Sequence, residues 1–431
     1  MRRFRFVLVL FALSLAGQAG ASKSIEEKIV GFVDAHDHEA VALLQRTVDM
    51  NSGTMNLDGV RAVGDVFRNE FDALGFETEW IDGSPFERAG HLVATHGDRG
   101  PHVLMIGHLD TVFEPDSPFQ RYEPIDERYV KGPGTTDMKG GNIVVLHALR
   151  ALDAVGVLDD LTVTVMLLGD EERSGKPTSV SRARLIEAAD AADVALGFED
   201  GDSDPTTAVV ARRSSTSWKL EITGRPAHSS QIFGEGYGYG AVFEAARILN
   251  AMREALAGEE FLTFNPGLIL GGTDVTHDPF AARGEAFGKN NVIAESVTVT
   301  GDLRCLSFEQ QERAREHMRA IVADNLDETS ATITFGDGYP PLDRSDGNLR
   351  LLSMWDAVSR DLGFGPVEPV DPRNAGAADI SFTAGRVDMA MDGLGLMGSG
   401  GHTVEETADL TTLPMNTKRT AVLLWRLSHG E

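Results

Sequence analysis

Apolar residues recur at helical spacing over 25–49 and again over 57–74, and Gly75 follows the second run, where a helix stop is favoured. Short apolar runs then take over at 102–107, 161–168 and 194–198, separated by helical stretches over 142–155 and 180–192. Strands alternating with helices predict an α/β domain on a mostly parallel sheet with helices on both faces. From about Ser214 the order changes to strand (217–223), helix (240–256), strand (261–270), strand (296–304), helix (308–326) and strand (331–335). That is the split βαββαβ pattern of a ferredoxin-like unit. After Tyr339-Pro340-Pro341 the first rhythm resumes, with helices over 348–362 and 415–427. The reading is a discontinuous domain over 22–213 and 339–431, interrupted by an inserted domain over 214–338.

Composition agrees with two ordinary cores, since 431 residues exceed what one core usually serves. A net charge of -27, with no concentrated Lys and Arg, excludes nucleic acid as an expected partner and favours cations. Residues 1–21 read as an export signal: Arg2, Arg3 and Arg5, an apolar run over 6–16, then Ala19-Gly20-Ala21. The mature chain has no membrane-spanning run, so it is expected in the periplasm or outside the cell. Cys305, the single cysteine, cannot form an internal disulfide.

Four clusters carry candidate chemistry, each beyond an apolar strand or in a glycine-rich loop, the edge where open α/β sheets bind ligands. His108 and Asp110 are two apart on an extended chain, so a carboxylate stands beside an imidazole. Asp137 sits in Gly132-Pro133-Gly134-Thr135-Thr136-Asp137-Met138-Lys139-Gly140-Gly141, which lacks the Walker spacing of a phosphate loop. Asp170-Glu171-Glu172 places three acids at a strand end, which cannot all ionise cheaply without a cation. Glu199 ends the next strand, and His402 lies in Gly398-Ser399-Gly400-Gly401-His402-Thr403. Two imidazoles and three carboxylates make a mixed donor set that suits zinc.

With these motifs the chain resembles the co-catalytic zinc metallopeptidases that include folate-cleaving glutamate carboxypeptidase, succinyl-diaminopimelate desuccinylase, acetylornithine deacetylase and aminoacylase. The resemblance implies two Zn(2+) per chain, with Co or Mn as substitutes. Asp137 would bridge, His108 and Glu199 would complete one site, and Glu172 and His402 the other. Asp110 would orient His108, and Glu171 would be the general base. In the inserted domain, taken as a lid and dimerisation domain, His228 would reach the partner subunit's site, and Asn291 and Arg304 would bind substrate. The pocket loop keeps its acid as Asp379 in Gly376-Ala377-Ala378-Asp379. Tyr339 stands where glutamate-releasing members carry arginine.

The activity this implies is hydrolysis of an amide bond beside a free carboxylate, in a small peptide or N-acyl amino acid, by a homodimer. An N-acyl-amino-acid deacylase or dipeptidase is the alternative. An exported metal-binding protein without activity is the reading from another class, and Glu171 speaks against it, because holding metal needs ligands but no base.

Overall fold

A computed structural model describes the backbone of residues 4–279 and 281–430, and side chains from 25 on apart from 280. The expected export signal, 1–21, lies outside the residues so described. The chain divides into two compact units, one of 1–210, 344–371 and 378–431, the other of 211–343 and 372–377.

The larger unit is built on a six-stranded mixed sheet. Its spatial order is Glu77–Asp82, Gly90–His96, Thr162–Leu168, His102–His108, Val194–Gly197 and Met389–Met391. The last four strands run parallel, and the first two form an antiparallel hairpin that adds to one side. Thr162–Leu168 and His102–His108 are buried at every position after the first, so both sheet faces are covered, as the continuous apolar runs require. Because the strands are parallel, the segments following His108, Leu168 and Gly197 leave from the same edge. Topology thereby gathers residues more than 90 positions apart in sequence.

Some elements differ from the sequence reading. Glu77–Asp82 was not expected as a strand, because its Glu-Thr-Glu-Trp-Ile-Asp lacks a clean apolar face. The helix expected over 180–192 is two pieces, Thr178–Ser181 and Ala183–Ala191, parted at Arg182. That residue is fully buried by its charge partners, as described below.

The smaller unit holds a four-stranded antiparallel sheet in the order Thr263–Gly272, Ser296–Arg304, Thr216–Gly224, Thr329–Phe335. Helices Gly240–Leu256 and Phe308–Ala323 pack on it. Thr216–Gly224 alternates buried and accessible residues, and Trp218, Leu220 and Ile222 join Val297, Val299, Ile248 and Met318 in its core. Here the βαββαβ order carries an addition: a hairpin of Asp274–Asp278 and Arg283–Phe287. Its second strand is exposed throughout, so no apolar alternation announces it.

Candidate metal centre

At the end of the central strand, His108 is buried, and its two ring nitrogens face different partners. Nδ1 lies 3.0 Å from the Asp110 carbonyl oxygen, and Nε2 lies 3.0 Å from Asp137 Oδ1 and 3.7 Å from Glu199 Oε1. Asn142 donates its side-chain amide to the His108 carbonyl at 2.6 Å. Gly107 has no side chain because a Cβ there would stand 2.2 Å from the Asn142 Oδ1 atom.

Asp110 is expected to orient His108, and its carboxylate indeed lies 3.5 Å from His108 Nδ1. It does more. Its two oxygens accept from the Thr54 hydroxyl (2.6 Å) and from the backbone N–H groups of Glu171 (3.0 Å) and Glu172 (3.2 Å). One buried carboxylate thus ties the imidazole to the turn that carries both glutamates.

On the other side, His402 Nε2 lies 2.9 Å from Asp137 Oδ2 and 3.0 Å from Glu172 Oε2. Two groups of ligand atoms result, His108 with Asp137 and Glu199, and Asp137 with Glu172 and His402, each within 4.8 Å. Asp137 is common to both, offering one oxygen to each side. The bond from Asp137 to Met138 is cis. Glu406 accepts from the backbone N–H groups of Gly134 (2.9 Å), Thr136 (2.8 Å) and Asp137 (3.3 Å) in the same loop.

The electrostatics describe a centre with excess negative charge. Burial holds the Glu171 carboxyl well above its ordinary range, helped by Asp379, and burial with Asp137 repulsion pushes Glu172 up to about 7. Glu199 is raised chiefly by burial as well. For His108, burial favours the neutral ring, but Glu199, Asp110 and Asp137 outweigh it and hold the imidazole well above its usual value. Hydrogen bonding to Asp137 and Glu172 pushes His402 up to about 11. Protons on the histidines are standing where divalent cations fit: nitrogen and carboxylate donors converge, and the carboxylates are hard to ionise without positive charge.

Beneath the centre Arg182 is fully buried. Its Nε donates to Asp379 Oδ1 (2.6 Å) and its Nη1 to Asp170 Oδ1 (2.5 Å), so it joins the acidic turn to the pocket loop. Asp379, expected to touch substrate, is buried here, and its Oδ2 has no hydrogen-bond partner among the described residues. It lines a cavity of about 10 Å³ with His108, Glu199 and Asp392, room for one water.

In the smaller unit the structure separates the other expected groups. His228 and Asn291 are brought together: Ser229 N–H donates to the Asn291 carbonyl (2.9 Å), and the His228 ring accepts from Ser230 N–H (3.2 Å). Both side chains are exposed. Arg304 lies at the far end of the strand Ser296–Arg304, pairing with Asp302 at 3.0 Å, and nine extended residues span roughly 27 Å.

Sequence reasoning missed Thr54, Arg182, Asp392 and Glu406. An arginine inside an otherwise amphipathic helical stretch was the one available signal, for Arg182. Nothing local marks the others, which act through contacts across as many as 272 positions.

Comparison with known proteins gives the same direction. The model of peptidase family M20/M25/M40 matches residues 104–426. Carboxypeptidase G2 of Pseudomonas sp. (strain RS-16) is 26% identical over 428 residues, covering 97% of each chain. Aminopeptidase PepT of Bacillus cereus superposes with a TM-score of 0.69 at 18% identity, over 91% of this chain and 98% of that one. Human carnosine dipeptidase 1 superposes with a TM-score of 0.61 at 15% identity, over 94% and 100%.

Proposed function

Because the chain belongs to peptidase family M20/M25/M40, we propose that it is a two-zinc hydrolase cleaving the amide bond beside a free carboxylate, most like a glutamate carboxypeptidase. The observation that carries this reading is Asp137, shared between two ligand groups at the sheet edge. His108, Asp137 and Glu199 would hold one ion, and Asp137, Glu172 and His402 the other. Two such ions would acidify a water towards a pKa of about 7 and polarise a carbonyl. Glu171 takes the proton of the attacking water on its carboxylate and returns it to the leaving nitrogen. Its raised affinity for protons, set by burial and Asp379, suits a group that must accept and then release one. Asp110 holds the backbone of Glu171 in place through the contact at 3.0 Å.

The smaller unit acts as a lid and dimerisation domain in this reading. His228 and Asn291 stand at one end of a strand and Arg304 at the other, too far apart to serve one small substrate within one chain. A homodimer resolves this if His228 and Asn291 serve the partner's centre. Phe233, Val242, Phe243, Ile269 and Phe287, all at least half exposed on this unit, supply apolar surface for such pairing. Mixing His228→Ala chains with Glu171→Gln chains should then restore part of the activity, and no recovery would rule out action in trans. The export signal reading places the enzyme in the periplasm or beyond.

Tyr339 favours a second reading, an N-acyl-amino-acid deacylase or dipeptidase that does not select glutamate, since a phenol stands where glutamate-releasing members carry arginine. A panel of folate-type glutamate conjugates, N-acyl amino acids and dipeptides, assayed with zinc and with chelator, decides between them. Hydrolysis of glutamate conjugates that chelator abolishes is expected. Turnover of none of these by zinc-loaded protein would reject both readings.

A further inference from the structure

The loop that presents Asp137 folds around a carboxyl group supplied by the chain itself. Glu406 is fully buried, and it comes from the far end of the sequence. Its Oε2 accepts from Gly134 N–H at 2.9 Å, and its Oε1 from Thr136 N–H at 2.8 Å and Asp137 N–H at 3.3 Å. The Thr136 hydroxyl lies 3.4 Å from Oε1, and the Thr135 hydroxyl, which donates to the Gly132 carbonyl at 2.9 Å, lies 3.3 Å from it. Gly134 holds a positive φ of 74°, which turns successive N–H groups inward to form an anion-binding concavity. Meanwhile the Glu406 carbonyl accepts from Gly132 N–H (3.2 Å), and its own N–H donates to the Thr403 carbonyl (3.1 Å), inside the turn that carries His402.

We propose that Glu406 is a positioning residue for the metal pair, fixing Asp137 and His402 relative to each other by filling the concavity of the 132–137 loop. The proposal rests on the reading of Asp137 as the shared ligand. Glu406 reaches neither substrate nor ligand oxygens. It acts on the backbone from which Asp137 projects and, through residues 403–406, on the turn of His402. A carboxylate is the group the site requires, because only acceptors can face three N–H donors at once. An amide there would turn an NH2 group against those donors, opening the loop while leaving volume nearly unchanged.

The test uses the full chain stripped of metal and reloaded with zinc against a chromophoric competitor. Glu406→Gln is expected to weaken zinc binding by roughly 10- to 100-fold, the usual cost of losing an outer partner of a metal ligand. Glu406→Asp, which keeps the charge but draws it back, should lie between that variant and wild type. Leu423→Ala, a cavity in the helix Thr412–His429, serves as the comparison for generic destabilisation and should lower the melting temperature without moving zinc affinity. Wild-type zinc affinity in whichever Glu406 variant folds overturns the proposal. So does failure of both variants to fold, which would make Glu406 a folding residue. Asp137→Asn separates the two layers of argument: if it keeps wild-type zinc affinity, the shared-ligand reading fails. If it loses zinc while Glu406→Gln does not, only the positioning role fails.

Discussion

The two halves of the centre have the same donor types and different surroundings. His108 ends the central strand, is 1% exposed, and is gripped through its ring and its carbonyl. His402 sits on a glycine-bounded turn, its side chain 60% exposed and its backbone at a positive φ of 62°. One half is part of the hydrophobic core, and the other is laid over it by a loop. The difference teaches that two ligand groups sharing Asp137 can differ in support, one fixed by the core of the fold and one carried on an exposed turn.

The largest effect expected is catalytic and touches both halves. If Glu171 is the general base, as proposed, Glu171→Gln should lower kcat by roughly two to four decades while leaving the metal content of the wild type unchanged. Undiminished turnover would remove Glu171 from its role. Next comes the contrast itself. In metal-free protein, His108→Ala removes the buried partner of two half-buried carboxylates, leaving Glu199 without a cation and Asp137 with His402 alone, and urea unfolding should show a loss of about 3–5 kcal/mol. His402→Ala, at an exposed position, should cost about 1 kcal/mol or less. Equal losses would erase the distinction between core and loop.

The smallest effect concerns pH. Glu172 is raised from 4.5 to about 7 by burial first and Asp137 second, so its ionisation opposes folding. That opposition is absent while the group is protonated in both states, grows from pH 4.5 upward and is complete above pH 7. Over the same interval cations compete better, because ligation displaces protons. Scanning calorimetry at several pH values should therefore show the melting temperature of zinc-loaded protein pulling away from that of chelated protein as pH rises. A constant gap would mean that Glu172 is not the loop half's titrating ligand.

How much of this was legible in the sequence follows from where each signal lies. His108 with Asp110 and Asp170-Glu171-Glu172 are compact motifs that each follow a segment whose apolar character comes from burial on both faces, and the Asp137 loop is marked by its glycines. The parallel strands were readable for that reason. Ser296–Arg304 and Gly240–Leu256 alternate or repeat cleanly, and they begin and end where the pattern predicts. The two hairpins were not readable, because Glu77–Asp82 mixes polar and apolar residues and Arg283–Phe287 is exposed throughout. Glu406 escaped because its partners in the 134–137 loop are distant in sequence and leave no periodic trace. Asp379 stands near the centre, held by the buried Arg182, whose place inside a helical stretch was a signal without a named partner.

Lys139 adds a consequence about time. Its buried Nζ donates to the carbonyl oxygens of Thr47 (3.0 Å) and Met50 (2.9 Å), at the end of an early helix, while Glu406 grips the same loop from a segment 267 positions further on. During synthesis the ribosome delivers the first anchor well over 300 residues before the second, so the Asp137 loop is held on both sides only after residues 403–406 have emerged and folded against it.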